Sequence, residues 1–360
     1  MKYNYTDTIE YLLDWYDNNA RILPWRENPK PYYVWISEIM LQQTRVEAVK
    51  VYFERFINTL PDIKSLAYSE EDQLLKLWEG LGYYNRARNL RKAAGIIMEE
   101  YGGELPPVYS DLLKLPGIGS YTAGAIASIA FQLPEPAVDG NVFRVMKRVA
   151  GSFDDITKAS VKKELEQDIR EIIPKDRPGD FNQAVMELGA RICIPNGKPI
   201  CLQCPIMHLC KAYQNNTEMS IPVKPAKKER KVEDKTVLVL EKHGTFYIRK
   251  RQNKGLLAGL YELPALEGKL TAVQLDEYLK SEGYTNYNFY SLGEGKHIFS
   301  HIEWHMIGYY VQINEEEKVA EEKVYNADKS LNEVWATKKQ INEIYTLPSA
   351  FEKYRDSIKL

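Results

Sequence analysis

The sequence has no excess of charge of either sign and no long apolar run. Lys plus Arg total 48 and Asp plus Glu total 50 among 360 residues, which gives a formal net charge of -2. This balance excludes a broad polycationic surface and provides no global attraction to nucleic acid. No apolar run approaches the ~20 residues that cross a bilayer, and residues 1–15 mix charged with apolar side chains, unlike a signal peptide. We therefore expect a cytoplasmic protein without a membrane anchor.

Cysteine is also scarce, and its positions are uneven. The four cysteines, Cys193, Cys201, Cys204 and Cys210, lie in one short segment as Cys-x7-Cys-x2-Cys-x5-Cys. In a reducing compartment this clustering is typical of a metal or iron–sulfur site rather than of disulfides. Structural zinc usually takes its ligands from two close pairs. Because only Cys201 and Cys204 form such a pair, zinc stays the second alternative.

The length and texture of the chain predict more than one domain. At roughly 150 residues per domain, the chain is long enough for two or three. From residue 5 to about residue 220, apolar residues recur every three or four positions, which predicts about ten short helices and no strand. Residues 221–234 open with prolines and basic residues and are predicted to be a linker. Short β-rich runs follow, with helical patterns near 273–281 and 338–344, so residues 235–360 are predicted to form an α+β domain.

Two closely spaced glycines join two helix-forming stretches at Leu115-Pro-Gly-Ile-Gly119. Gly117 and Gly119 allow a tight turn that brings backbone N–H groups and the start of the next helix close to an anion such as a phosphate. The second helix is rich in small residues and can pack closely against its neighbours. A Gly-Ile-Gly sequence by itself is equally compatible with an ordinary turn between two helices.

Two acidic residues stand in contrasting surroundings. Glu38 lies in the apolar helical run 34–41, where burial raises a carboxyl pKa and makes the group a proton donor near neutrality. Asp139 precedes Gly140 and Asn141 in a more polar turn, where a carboxylate can stay ionised. Two carboxyl groups with separated pKa values suit cleavage of a glycosidic bond. The alternatives are that Glu38 is a satisfied helix residue and that Asp139 only caps the following helix.

Five segments, taken together and in this order, resemble the adenine DNA glycosylases, the MutY family of the helix-hairpin-helix or endonuclease III superfamily. They are Leu23-Pro-Trp-Arg26, Ser37-Glu-Ile-Met-Leu-Gln-Gln-Thr44, Gly80-Leu-Gly-Tyr-Tyr84, Leu115-Pro-Gly-Ile-Gly119 and Val138-Asp-Gly-Asn-Val142. The resemblance implies a monofunctional glycosylase of base excision repair, which hydrolyses the N-glycosidic bond of adenine mispaired with 8-oxoguanine or guanine. It also implies duplex DNA as the partner, no membrane association, a monomer, and a bacterial, nucleoid-associated location.

The same resemblance implies a multidomain architecture. Residues 1–220 are expected to form an all-α helix-hairpin-helix glycosylase core with an Fe–S loop. Within this core, residues 28–133 would form a six-helix lobe with the hairpin, and residues 1–27 plus 134–220 a second lobe with the Fe–S loop. After the linker 221–234, residues 235–360 would form an α+β, Nudix-like lesion-recognition domain. Residues 249–264 look like the start of a Nudix domain, but no acidic Arg-Glu-x-x-Glu-Glu helix follows, so recognition is expected rather than diphosphatase chemistry.

The resemblance assigns roles in catalysis. It implies that Glu38 protonates adenine at N7, that Asp139 faces the sugar cation, and that Asn141 positions the catalytic groups. Tyr121 stands where the endonuclease III type carries a lysine nucleophile, so no Schiff base and no linked strand cleavage are expected. Three further residues match the surroundings of the adenine pocket: Arg26, Trp25 and Glu187.

The resemblance also assigns contacts to DNA and to the cofactor. Five residues are expected to bind DNA, the first two by insertion at the lesion: Gln43, Tyr83, Gly117, Gly119 and Lys198. Three are expected to recognise 8-oxoguanine, whose N7–H can donate to Ser300 where guanine has an acceptor: Phe299, Ser300 and His301. The four cysteines would hold one [4Fe-4S] cluster, although their first gap is one residue longer than the six typical of the family.

Two other functions stay open. The chain could be a related base-excision glycosylase that acts on another mismatched or oxidised base, or a noncatalytic protein that binds DNA structure through the hairpin and the Fe–S loop. His297, His301 and His305 recur at every fourth position, which on a helix would indicate a metal site. Their segment alternates between apolar and polar residues, however, and this pattern favours a strand and hairpin.

Overall fold

The computed structural model describes residues 3–223, 229–314 and 333–359; part of the predicted linker, 224–228, lies outside them. The chain divides into two compact units. The first comprises Met1–Ser69 and Arg88–Ala226, and the second Glu70–Ala87 and Lys227–Leu360. Within the described ranges, no helix has the length and hydropathy that a bilayer crossing requires.

Helices make up the regular structure up to residue 220, as the apolar spacing predicts. The α-helices are α1 (Ile9–Asn19), α2 (Pro24–Glu27), α3 (Pro31–Leu41), α4 (Val46–Thr59), α5 (Ile63–Ala67), α6 (Glu71–Leu77), α7 (Asn85–Glu100), α8 (Tyr109–Leu112), α9 (Ser120–Ala125), α10 (Gly140–Ala150), α11 (Ala159–Ile172), α12 (Pro178–Arg191) and α13 (Lys211–Gln214). Short 3-10 helices occur at Thr6–Thr8, Cys201–Gln203 and Met207–Leu209, and a π-helical turn at Ile126–Ala130 continues α9. The many short helices leave several helix ends and loops available for a site.

One buried cluster of the first unit packs around α1, α10 and α12. Helix α10 contributes apolar residues at positions three, four and seven apart, which places them on one face: Val142, Val145, Met146 and Val149. The helix ends at Gly151, whose φ of 65° is the left-handed conformation typical of a helix C-terminus. Its N-terminus is thereby fixed against the core, with Asp139 at the N-cap position.

The glycine turn joins α8 to α9, as predicted. Gly117 in the turn and Gly124 in α9 each lie too close to another segment to carry a Cβ without a shift. Gly117 has a φ of 80°, and a Cβ there would lie 2.8 Å from Cβ of Asn89. In α9, a Cβ on Gly124 would lie 1.9 Å from the carbonyl oxygen of Pro136. The small residues of α9 therefore let its backbone pack directly against the segment that leads into Asp139.

A seven-stranded mixed sheet forms the centre of the second unit. Its strands are β1 (Lys231–Lys242), β2 (Thr245–Lys250), β3 (Tyr261–Glu262), β4 (Ala265–Glu267), β5 (Tyr287–Ile298), β6 (Ile302–Ile313) and β7 (Glu333–Thr337). The order is β3-β2-β1-β6-β5, with β4 paired to β1 and β7 to β2. Only the pair of β1 and β6 is parallel among these described strands. The three remaining helices are α14 (Ala272–Ser281), α15 (Lys338–Glu343) and α16 (Glu352–Lys359).

Both faces of this sheet are buried by helices. Successive residues of β1 point to opposite faces, so Val237 and Val239 join the cluster that includes Tyr354 of α16. Leu238 and Leu240 join the cluster formed with α14. Strand β1 begins at Lys231, inside the predicted linker, because its first residues pair with β6 from Ile302 onward. The predicted helices near 273–281 and 338–344 correspond to α14 and α15.

Residues 70–87 group with the sheet-containing unit, although their sequence has the same helical pattern as the residues around them. The domain boundaries predicted from the sequence place this segment in the glycosylase core. These domain boundaries stay a prediction.

Candidate active site

One open pocket in the first unit brings together the predicted catalytic residues. Its empty volume is about 1370 Å³. Eight of the residues singled out in the sequence line it, from segments far apart along the chain: Trp25, Arg26, Glu38, Gln43, Tyr121, Asp139, Asn141 and Glu187. The fold therefore assembles the predicted acid, the predicted carboxylate and the predicted adenine-pocket residues around a common space.

Glu38 is a buried carboxyl group on α3, which is itself buried from Val34 to Met40. Glu38 is 5% exposed, and the Tyr121 hydroxyl donates a hydrogen bond to Glu38 Oε2. Burial raises the pKa of Glu38 to about 7; the hydrogen bond from Tyr121 opposes this shift, and the nearby charge of Asp139 adds to it. A carboxyl group of this kind still carries its proton near neutral pH and can give it to a bound base.

The raised pKa of Glu38 has a cost for stability that can be measured. Between about pH 4.5 and 7 the folded protein holds this proton more tightly than the unfolded chain, so the stability of the wild type falls as pH rises through this window. Glu38→Gln keeps the shape and removes the titration. We expect the variant to unfold like the wild type near pH 4.5 and to be more stable by about 3 kcal/mol at pH 8. Urea unfolding at both pH values checks this, and equal stability at pH 8 would contradict it.

Asp139 caps α10, so the capping role considered from the sequence is confirmed. Its Oδ1 accepts hydrogen bonds from the backbone N–H groups of Asn141 at 2.8 Å and Val142 at 2.7 Å. The Asn141 side-chain amide donates to Oδ2 at 2.7 Å. The sequence predicted an open polar turn, but the carboxylate is partly buried, and this burial raises its pKa while the three donors oppose the shift. The donors favour the ionised form of Asp139 and leave it facing the pocket.

Asn141 is fixed by residues that the sequence did not single out. Arg144 Nη2 donates to Asn141 Oδ1 and to the carbonyl oxygen of Gly189, both at 2.8 Å. Because the amide oxygen accepts from Arg144, the amide nitrogen points toward Asp139. A Cβ on Gly189 would lie 2.6 Å from Cβ of Asn141, so glycine at this position lets α12 approach α10. Neither contact leaves a signal in the local sequence.

Glu187 is completely buried and binds two arginines. Arg21 donates to it through Nε at 2.6 Å and Nη2 at 3.1 Å, and Arg26 Nη2 donates at 3.0 Å. Burial alone would raise the pKa of Glu187, but the two guanidinium groups hold it below its usual range. Trp25 is 4% exposed and packs edge-on against Phe53. The sequence predicted Arg26, Trp25 and Glu187 at this pocket but missed Arg21.

The four cysteines are free thiols around one space of about 390 Å³. Arg148 Nη1 donates to Cys193 Sγ at 3.2 Å, and burial raises the pKa of the Cys204 thiol to about 12. Among the residues that the structure describes, no three His, Cys, Asp or Glu side chains are close enough to hold a single metal ion. The three regularly spaced histidines lie on β5, β6 and their turn, as the alternating pattern predicts.

In the second unit, the predicted 8-oxoguanine residues lie at the turn between β5 and β6. Phe299 packs against His297 and Trp304, with ring centroids 4.6 and 4.9 Å apart, and anchors the turn. Ser300 and His301 are exposed. Tyr83, in the Gly80–Tyr84 loop, shares a hydrogen bond of 3.1 Å with Ser300 Oγ. The structure thus brings one predicted insertion residue to the predicted recognition turn.

The remaining predicted DNA contacts are exposed or lie next to open space. Gln43 follows α3 with a φ of 60°, and Tyr83 has a φ of 46°. A Cβ on Gly119 would meet nothing within 4 Å, so the packing of the protein does not itself require glycine there, in contrast to Gly117. Lys198 is exposed on the loop between Cys193 and Cys201.

Comparisons with known proteins agree with this arrangement. Residues 36–171 match the HhH-GPD superfamily base excision DNA repair protein, and residues 236–357 match the NUDIX domain. The adenine DNA glycosylase of Buchnera aphidicola subsp. Schizaphis graminum is 37% identical over 307 residues, which span 85% of this chain and 87% of the relative. That of Rattus norvegicus is 36% identical over 352 residues, spanning 81% and 68%.

Two solved structures are similar as well. A thermostable thymine-DNA glycosylase covers 57% of this chain and 95% of its own, at 29% identity and a TM-score of 0.53. Endonuclease III, trapped in a covalent intermediate with DNA, covers 60% and 99%, at 27% identity and a TM-score of 0.51. A helix-hairpin-helix glycosylase core followed by a Nudix-like domain is therefore the architecture of this chain. The chain belongs to the adenine DNA glycosylases, enzymes of base excision repair.

Proposed function

We propose that this enzyme hydrolyses the N-glycosidic bond of adenine paired with 8-oxoguanine or guanine in duplex DNA. The observation that carries the proposal is the pocket in which Glu38, with a pKa of about 7, faces the same space as Asp139. Acid-assisted departure of a base needs a proton donor, which the raised pKa of Glu38 provides, and a second carboxyl group at the sugar, where three hydrogen bonds favour the ionised form of Asp139.

The proposed reaction begins with extrusion of the adenine nucleotide from the duplex into the pocket, at a cost of a few kcal/mol. Glu38 gives its proton to N7 of the base. The bond between C1′ and N9 then breaks, and its electron pair leaves with adenine, so that a positive charge develops on the sugar. Asp139, oriented by Asn141, and Tyr121 hold that cation between them until water adds to C1′ and loses a proton.

We assign recognition of 8-oxoguanine to Phe299, Ser300 and His301, and insertion at the lesion to Gln43 and Tyr83. We assign phosphate contacts to Gly117, Gly119 and Lys198. The test is a single-turnover assay on duplexes with adenine opposite 8-oxoguanine, guanine or cytosine. We expect release of adenine, fastest opposite 8-oxoguanine and slowest opposite cytosine. Release of a different base, or binding without release, would favour one of the two other functions considered above.

Tyr121 occupies the position at which the endonuclease III type carries its lysine nucleophile, so we expect monofunctional chemistry. The Tyr121 hydroxyl donates a hydrogen bond to Glu38, and burial raises the pKa of Tyr121 well above its ordinary value, so it stays a neutral hydroxyl. Borohydride traps Schiff bases, which need a lysine or an N-terminal amine. We expect borohydride treatment of the reacting enzyme to give little covalent DNA adduct. Trapping as strong as that of a lysine-dependent glycosylase would show a bifunctional enzyme instead.

The cysteines support one [4Fe-4S] cluster. All four thiols face one space and none is in a disulfide, while Arg148 donates toward Cys193, as suits a thiolate. Structural zinc usually takes its ligands from two close pairs, and among the four cysteines Cys201 and Cys204 form one such pair, so we place zinc second. When bound, the cluster would supply structural cross-linking, because hydrolysis transfers no electron. The loop from Cys193 to Cys201, which carries Lys198, would depend on it for its shape.

Removal of one ligand tests the cluster. We expect purified Cys204→Ser to lack the visible iron–sulfur absorption and to contain less iron than the wild type. We also expect it to be less stable, because the free energy of binding a metal group adds to the free energy of folding. Iron at wild-type level in this variant, or zinc instead of iron in the wild type, would contradict the assignment.

We also propose that the protein acts at the bacterial nucleoid, where its duplex substrate would lie.

A further inference from the structure

Several polar contacts that share the Glu79 carboxylate join the segment Glu70–Ala87 to the C-terminal part of the second unit. Lys76 Nζ donates to the carbonyl oxygens of Ile341 at 3.2 Å and Tyr345 at 3.0 Å. It also pairs with Glu79 Oε2 at 2.6 Å. Lysine, glutamate and two backbone carbonyls thus form a directional set of contacts between α6 and the end of α15.

The second oxygen of Glu79 completes the set. Glu79 Oε1 accepts from the backbone N–H of Leu347 at 3.1 Å and from Arg355 Nη1 at 2.8 Å. The side chains of Lys76, Glu79 and Arg355 are 17%, 18% and 19% exposed. We call these three residues the polar latch. Because its charges are largely shielded from water, its contacts are stronger and more directional than those of a surface ion pair.

The polar latch is continuous with the loop that carries Tyr83. Trp78 Nε1 donates to the carbonyl oxygen of Gly82 at 3.1 Å, and Arg86 Nη2 donates to those of Leu81 and Gly82 at 2.9 and 3.1 Å. The Arg86 guanidinium lies over the Trp78 ring, 5.3 Å from its centroid. At the tip of this loop, Tyr83 meets Ser300. The polar latch thus holds the start of the Gly80–Tyr84 loop, and Ser300, in the turn between β5 and β6, contacts Tyr83 near its end.

We propose that the polar latch is a positioning device that sets the specificity of the enzyme for the base opposite adenine. It fixes the Tyr83 loop to the body that carries Ser300, so that both groups reach the opposite base in one geometry. Sites of this kind lose selectivity when their supporting contacts loosen by about an ångström. The inference rests on the proposed recognition of 8-oxoguanine, but its structural step, rigidity of the loop, can be measured without any substrate.

The first experiment compares single-turnover rates on adenine opposite 8-oxoguanine and opposite guanine. Glu79→Gln keeps an acceptor for Leu347 but removes the charge that binds Lys76 and Arg355. We expect the ratio of the two rates to fall about tenfold, mostly through the 8-oxoguanine substrate. The matched control is Lys280→Met, which removes the exposed i,i+4 pair with Asp276 on α14 and should leave the ratio unchanged. Equal losses on both substrates would mean a merely structural role and would overturn the proposal.

A double substitution shows whether the latch acts through Ser300. If it does, Ser300→Ala should lower the ratio in the wild type but hardly at all in the Glu79→Gln background, because the two changes remove one shared effect. Full additivity would overturn the proposed route. Arg355→Lys, which keeps the charge but not the planar donor geometry, is expected to give an intermediate ratio.

Hydrogen exchange separates failure of the latch from failure of the proposed function. In the DNA-free protein, Glu79→Gln should speed amide exchange in residues 80–84 and 299–301 by about tenfold, with the core strands β1 and β6 unchanged. Unchanged exchange in the loop and turn overturns the latch whatever the rates are. If the wild type instead fails to discriminate 8-oxoguanine from guanine while exchange responds as expected, the latch holds the loop but the proposed recognition is wrong.

Discussion

Replacing Glu38 with glutamine is expected to lower the single-turnover rate of adenine excision by a factor of about 10²–10⁴, the usual range for loss of a positioned general acid. Glutamine has nearly the same shape and can still accept the hydrogen bond that Tyr121 donates to Glu38. It has no proton to give to N7, so adenine would have to leave as a much poorer leaving group. The measurement is a rapid-quench assay with enzyme in excess over a duplex that pairs adenine with 8-oxoguanine.

The control for this variant is Glu99→Gln, which changes an exposed glutamate near the end of α7 and should leave the rate unchanged. Duplex affinity of Glu38→Gln is measured in parallel and should change little, because the substitution removes a proton donor and not a DNA contact. An excision rate within threefold of wild type, with affinity intact, would sink the role assigned to Glu38. Low activity combined with higher stability at pH 8 would show that the buried acid is kept at the expense of stability.

Asp139→Asn is expected to slow excision by about 10²–10³-fold, because it removes the negative charge that faces the developing sugar cation. Asparagine is a good N-cap residue, and its oxygen can accept from the same backbone N–H groups of Asn141 and Val142. The start of α10 should therefore stay folded, and thermal unfolding should shift by only a few degrees. The same single-turnover assay, with circular dichroism for unfolding, checks both parts.

A matched control separates the cap from the charge. Asp62 caps α5 through a bond of 2.7 Å from the Ser65 N–H and is exposed, so Asp62→Asn makes the same chemical change at another helix start. It should leave the excision rate unchanged. Asp139→Ala loses cap and charge together and should cost about 0.5–2 kcal/mol of stability besides its activity. If Asp139→Asn excised adenine at the wild-type rate, Asp139 would be a cap and nothing more.

Recognisable short segments of the sequence sufficed to propose the residues that line the pocket. Glu38 lies in an apolar helix, where its burial follows from the pattern, and Asp139 stands just before a helix start. Their supporting residues could not be predicted in this way. Arg21 binds Glu187 across 166 positions, and Arg144 binds the carbonyl of Gly189 across 45. Local composition does not distinguish such an arginine from an exposed one.

In the fold, too, local features could be predicted from the sequence, whereas contacts between distant residues could not. The β-rich runs indicated an α+β domain, and the alternation around residues 298–304 indicated the hairpin that presents Ser300. The grouping of residues 70–87 with that unit left no trace in the sequence, because the apolar spacing of α6 is the same whether its partner is a helix or a sheet. The Tyr83–Ser300 contact joins residues 217 positions apart. Only the three-dimensional structure could reveal it, since two polar residues of common types carry no pairing signal.

The backbone at the two predicted insertion residues has a consequence for the energetics of base extrusion. Gln43 and Tyr83 both occupy the left-handed region, with φ of 60° and 46°, which costs an L-residue roughly 1–2 kcal/mol relative to its preferred conformation. The protein meets this cost when it folds, before any DNA is bound. Neither residue then has to change to the left-handed backbone conformation when the DNA duplex is opened. For the insertion proposed here, part of the conformational cost is thus met on folding, and valine, isoleucine or threonine at either position would disfavour the left-handed conformation.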